Sequence, residues 1–116
     1  MNAAPGYPRR LSRRSIDFAR INHAALTVLP TLLARWLPDG HRKGQEYVAL
    51  NPRRPDRHIG SFSVNVRTGR WSDFATDDRG GDPVSLAAYL AGISQLEAAT
   101  KLAGMLGIRS EDRCGR

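Results

Sequence analysis

The stretch Ser61-Phe-Ser-Val-Asn-Val-Arg-Thr-Gly-Arg-Trp-Ser-Asp-Phe74 decides the fold. Its first six residues alternate, placing Phe62, Val64 and Val66 on one face and Ser61, Ser63 and Asn65 on the other. That two-residue period is the signature of a half-buried strand. Thr68-Gly69 turns the chain, and Arg70–Phe74 returns as a second strand, so a β-hairpin is expected. Phe62 is in phase with the two valines and belongs to the core. Trp71 and Phe74 cannot share one strand face without a bulge, so one of them is expected at the surface. Upstream, Glu46–Leu50 alternates weakly between Gly44 and Pro52 and supplies a third strand candidate. Asn51-Pro-Arg-Arg-Pro-Asp-Arg57 then forms a proline-punctuated loop with three arginines.

Helical periodicity flanks this strand region. From Asp17 to Leu37, Ala25, Leu29, Leu32, Leu33 and Trp36 fall on one face with Arg35 opposite, and Trp36 is expected in the core. Pro30 is incompatible with one unbroken helix, which predicts either two helices parting near Val28 or a kink. Pro38-Asp39-Gly40 stops the segment. On the other side, Gly80-Gly81-Asp82-Pro83 offers a turn, an N-cap aspartate and a proline for the first helical position. A helix from Pro83 to Ala91 should bury Val84, Leu86, Ala87 and Leu90 and end at Gly92. Ser94-Gln-Leu-Glu97 is a capping box for a last helix, with Ala98, Leu102, Met105 and Leu106 as its apolar stripe and Gly107 at its end. The expected fold is therefore α+β: a small antiparallel sheet of three or so short strands, an N-terminal helical segment and two C-terminal helices. Residues 1–15, with four arginines and no apolar period, read as a disordered basic arm. Residues 16–108 form the single expected domain, and residues 109–116 read as a frayed tail.

Charge narrows the function. Among 116 residues, 18 Lys+Arg oppose 11 Asp+Glu for a net charge of +7. Residues 41–70 carry seven bases and two acids, whereas residues 71–116 carry five bases and seven acids. A basic stretch beside a mildly acidic one suggests a surface that faces a polyanion. Arginine abundance alone also follows from GC-rich coding, so composition does not name the ligand. One cysteine, Cys114, excludes an internal disulfide and any zinc site built on several thiolates, and points to a reducing, cytoplasmic setting. No apolar run is long enough to span a bilayer, and no secretory signal precedes the fold.

The residues hold no nucleophile–base set. His23, His41 and His58 are scattered over a helix and two loops and lack metal-ligand spacing. Asp73, Asp77, Asp78 and Asp82 form the one carboxylate cluster, but Asp82 reads as a helix cap and Asp77 and Asp78 as turn residues, so no metal and no cofactor are expected. Gly80-Gly81 lacks the lysine of a phosphate-binding P-loop. The stronger constellation is Arg53, Arg54, Arg57, Arg67 and Arg70 around the hairpin that carries Phe62, Trp71 and Phe74. Arginines neutralise phosphates and an exposed aromatic stacks on an unpaired base, a combination suited to single strands. No helix with a basic face is available for reading a duplex groove.

Three runs then carry a resemblance: Tyr47-Val-Ala-Leu-Asn-Pro52; Gly60-Ser-Phe-Ser-Val64; and Gly69-Arg-Trp-Ser-Asp-Phe74 with Gly80-Gly-Asp82. Together with Leu90-Ala-Gly-Ile-Ser-Gln-Leu-Glu-Ala98 and Leu106-Gly-Ile108, they resemble the N-terminal zinc-ribbon domain of bacterial and phage DNA primases, over about residues 44–108. Where that family has its first knuckle, this chain has Asn51-Pro52-Arg53-Arg54, and where it has its second Cys pair, this chain has Trp71–Thr76. The resemblance therefore implies a zinc-less variant, like those at the front of plasmid- and phage-type primase-helicases, with packing in place of the metal and the helical segment before it as a source of core. It implies a non-catalytic, accessory role in engaging single-stranded DNA, beside a separate primase or helicase, because no catalytic domain follows Ile108. Arg53, Arg54 and Arg57 are expected on phosphates, Arg67 and Arg70 beside the hairpin, and Trp71 as the stacking ring. The alternative is a protein-interaction or regulatory module of a mobile-element replication or transfer machine with no direct nucleic-acid binding, contacted through the C-terminal helices or the Asp73–Asp82 segment.

Overall fold

The computed structural model describes residues 16–53 and 61–108. Among the described residues, four helices and a five-stranded antiparallel sheet make an α+β fold. The expected arm and tail, together with Arg54, Arg57 and His58, lie outside the described residues.

The helical segment is two helices, α1 (Phe18–Thr27) and α2 (Leu29–Trp36). Asp17 caps α1 by accepting the Arg20 N–H at 3.0 Å. The helices part at Val28, and Pro30 sits in the first turn of α2, where its missing N–H costs nothing. Five strands follow in meander order: β1 (His41–Lys43), β2 (Glu46–Ala49), β3 (Phe62–Asn65), β4 (Trp71–Asp73) and β5 (Asp78–Gly80). The sheet has two strands more than the sequence pattern indicated. His41 therefore lies in a strand rather than a loop, and Asp78 opens a strand while Asp77 keeps the turn, at φ 66°.

The β3–β4 hairpin is closed by Asn65, whose Oδ1 accepts the Arg67 and Thr68 N–H groups at 2.9 and 3.0 Å. Register then fixes which aromatic goes inward. Trp71 pairs with Val64 and so shares the Phe62/Val64 face, which leaves Phe74 on the opposite one.

Helices α3 (Pro83–Ala91) and α4 (Gln95–Leu106) begin with reciprocal capping boxes, Asp82 with Ser85 and Ser94 with Glu97. Both end on a left-handed glycine, Gly92 and Gly107. Asn22 of α1 accepts the Val84 N–H at 2.8 Å, satisfying an N-terminal donor of α3 from a neighbouring helix. In α3, Pro83 and Ala88 are buried with Val84 and Leu86, whereas Ala87 and Leu90 are only half-buried. In α4, Met105 leaves the expected apolar stripe and is half exposed.

One core joins these layers, with Ile21, Leu33, Phe62, Val64, Leu86 and Leu102 among its buried members. The inward face of the sheet packs on α3 through Tyr89. Its ring lies 6.1 Å from Phe62, nearly parallel, and 4.7 Å from Trp71. Trp36 is half-buried at the margin of this core.

Candidate nucleic-acid interface

Among the described residues, Tyr89 of α3 packs on the Phe62/Trp71 face of the sheet. On the opposite face Ser63 is buried, Glu46, Asn65 and Ser72 are half-buried, and the flanking cations are exposed. Strand register assigns its rows. His41, Val48, Ser63, Ser72 and Arg79 lie across one row; Lys43, Glu46 and Asn65 lie across the next, and the latter is bonded to the backbone of Arg70. Phe74 continues the same face, its N–H donating to the Ser61 carbonyl at 2.9 Å. Glu46, Ser63, Asn65, Arg70, Ser72, Phe74 and Arg79, with Trp71 and Gly80, line a concavity of about 540 Å³. Polar and aromatic side chains share its lining, and the two arginines there are exposed. Phe74 is 76% exposed, a large apolar surface.

Of the expected residues, the structure places Arg70 at this concavity and Arg67 exposed at the adjoining hairpin turn. Two others have partners within the fold. Trp71 is only 6% exposed, its indole N–H donating to Ser85 Oγ at 3.0 Å, so its faces are covered by Phe62 and Tyr89 and cannot receive a base. Arg53 is exposed, but on the helical side. Its Nη1 donates to the Tyr89 carbonyl at 2.6 Å and its guanidinium lies over the Tyr89 ring at 5.4 Å. A cation there complements the carbonyl end of α3 and stacks on an aromatic face. Arg53 and Arg70 are not brought together.

The pattern of the sequence missed Lys43, Glu46 and Arg79. Arg79 belongs to a strand whose Asp-Arg-Gly composition reads as turn. Glu46 was legible as a strand residue but carried no sign of its partners. Its carboxylate accepts from Ser63 Oγ at 2.5 Å and from Asn65 Nδ2 at 3.0 Å, so a negative charge is held in place on the floor of the concavity.

The Asp cluster resolves into separate jobs. Asp73 is fully buried and accepts from Asn51 Nδ2 at 2.7 Å and from the Ala75 N–H at 2.8 Å. The same Asn51 amide reaches Tyr89 Oη, which donates to Asp78 at 2.8 Å. Burial leads the causes that raise the Tyr89 hydroxyl above its ordinary value, with the carboxylate charges of Asp78 and Asp73 adding to it. Asp73 thus offers nothing to a protein partner, which removes it from the contact surface expected of the Asp73–Asp82 segment. Among the described residues no three His, Cys, Asp or Glu side chains converge as a metal site. Nor do Asn51 and Asp73 form a zinc ligand set: an amide and a carboxylate joined to each other are not the soft, tetrahedral donors that zinc takes in structural sites.

No helix among the described residues is long and apolar enough to cross a membrane. No family model matches the chain, and comparison with curated proteins found no relative.

Proposed function

We propose that this chain is a non-catalytic accessory module that binds single-stranded DNA through the open face of its sheet. It would work beside a separate primase or helicase in DNA replication or in plasmid or phage transfer. The observation that carries this reading is the exposed Phe74 on the same sheet face and in the same concavity as Arg70 and Arg79. Cations track the phosphates of a strand while a planar ring takes an unpaired base. The primase resemblance points to the same ligand, and the zinc-less hairpin would keep the shape of that domain by internal packing and hydrogen bonds.

Fluorescence anisotropy with labelled single- and double-stranded oligonucleotides tests the proposal at low and at physiological salt. Salt-sensitive binding that prefers the single strand supports it. Absence of binding at physiological salt, or preference for the duplex, rejects it.

A second reading, a protein-interaction module, is favoured by one specific feature. Trp36, Pro52, Leu90, Ile93, Leu102 and Met105 line an apolar groove of about 360 Å³ on the helical side. It predicts that the chain captures a replication partner without binding an oligonucleotide and that Leu90→Asp abolishes that capture, and it fails if the chain binds the strand and captures no partner.

A further inference from the structure

We infer that the open sheet face discriminates among bases, favouring those with an exocyclic amino group over thymine, and that Glu46 is the residue responsible. The inference rests on the single-strand reading above and specifies what that surface accepts.

Glu46 lies within a face whose other charged groups, Lys43, Arg70 and Arg79, are cationic. If the concavity received only phosphate, a carboxylate on its floor would repel the ligand at short range. Phosphate belongs at the arginines of the rim, and the group that meets Glu46 must bring a hydrogen-bond donor. The carboxylate is also fixed in direction. Ser63 holds one oxygen and Asn65 the other, from same-face positions on either side of Val64 in β3. Each carboxylate oxygen has roughly two lone pairs, so one donor apiece leaves acceptor capacity on the side lining the concavity. A group held by its neighbours in this way can act as a template rather than adapt to any ligand.

An ionised carboxylate only accepts. Cytosine offers its N4 amino group and adenine its N6 amino group as donors, whereas thymine presents two carbonyl oxygens flanking a single N–H. A base stacked on Phe74, which lines the same concavity, would bring its edge toward Glu46. An amino-bearing edge would gain a charge-assisted hydrogen bond there, while a thymine edge would set carbonyl oxygen against carboxylate.

The test uses the full chain and labelled oligo(dC), oligo(dA) and oligo(dT) of equal length at one moderate salt concentration. The dC–dT comparison is decisive, because both are pyrimidines and differ little in stacking area. Wild type should bind oligo(dC) roughly fivefold or more tightly than oligo(dT), and Glu46→Gln, which offers an amide N–H to a thymine carbonyl, should bring the two within about twofold. An oligomer whose cytosines are dimethylated at N4 should fall to the oligo(dT) level, a result independent of whether the variant folds. Equal, salt-sensitive binding of all three oligomers by wild type overturns the inference and leaves the single-strand reading standing, with Glu46 serving only to join β2 to β3. A preference that persists in a folded Glu46→Gln protein also overturns it. Binding to none of them overturns both readings.

Discussion

Asn51 donates to Asp73 at 2.7 Å inside the core, joining the chain just beyond β2 to the end of β4. Both side chains are at most 1% exposed, so the bond forms where water cannot replace it. On the proposed relationship to primase zinc ribbons, these two segments are the ones that would carry the two metal knuckles. A directional bond between an amide and a carboxylate would then take over the cross-link that a metal would make. Removing one member of a buried polar pair leaves the other desolvated and short of a partner, at about 1–3 kcal/mol, and more for a charge. Asn51→Ala should therefore lose at least about 2 kcal/mol in urea unfolding. Asp73→Asn, which keeps an acceptor oxygen, should cost less than Asp73→Ala. An Asn51→Ala protein as stable as wild type would show that the bond does not hold the two hairpins.

The two aromatic residues at the ends of β4 should separate stability from binding. Trp71→Ala removes a core ring and should destabilise the fold by about 3–5 kcal/mol. Phe74→Ala removes an exposed ring and should leave the melting temperature nearly unchanged, while weakening single-strand binding by about 1–3 kcal/mol. Thermal melts and anisotropy on the same two proteins check both halves. A Phe74→Ala protein with unaltered affinity would remove the stacking platform.

Gly80 and Gly81 should behave differently despite being neighbours. A Cβ on Gly80 would lie 2.5 Å from both Trp71 Nε1 and Ser85 Oγ, disturbing the bond between them. Gly80→Ala should cost about 1–3 kcal/mol by overpacking. Gly81 has open space around it and no left-handed backbone, so Gly81→Ala should stay within about 0.5 kcal/mol of wild type. Equal effects in denaturant melts would contradict the packing described for Trp71.

Tyr47 gives the fold an alkaline sensitivity. Its hydroxyl donates to the Leu37 carbonyl at 2.8 Å, and burial, with a smaller effect of the Asp39 carboxylate, raises its pKa above the ordinary 10.0. The unfolded chain then releases this proton at lower pH than the folded one. The stabilisation is complete below the unfolded pKa and is lost as pH rises through the folded value. Tyr47→Phe should lose about 0.5–1.5 kcal/mol near neutrality and show a shallower decline of stability above about pH 10. Parallel pH profiles for the two proteins would contradict this.

Local signals made most of the helices legible before any coordinates. Asp82, Ser94, Gly92 and Gly107 act at short range and say where a helix starts and stops, and Pro30 marks the break between α1 and α2. The β3 strand was equally plain, because Phe62, Val64 and Val66 alternate against polar neighbours. Strands β1 and β5 were not, since His-Arg-Lys and Asp-Arg-Gly carry no apolar alternation and are defined by the strands they pair with. That omission hid Arg79 and Lys43 from the candidate site. For Trp71 and Phe74 the parity rule showed that they part, but only the pairing of Trp71 with Val64 says which one turns inward. Arg53 was visible as a cation, and its engagement by Tyr89 depends on residues 36 positions apart, beyond the reach of local pattern.

The most direct measurement is the salt dependence of single-strand binding for wild type and for an Arg70→Ala/Arg79→Ala double variant, read by anisotropy over a series of salt concentrations. Both arginines are exposed at the rim of the concavity, so the fold should survive their loss. Each phosphate contact removed should reduce the slope of log K against log salt by about 0.7, and the affinity at low salt should fall with it. An unchanged slope and affinity in the double variant, or a wild-type chain that does not bind the strand, would contradict the assignment of this sheet face to single-stranded DNA.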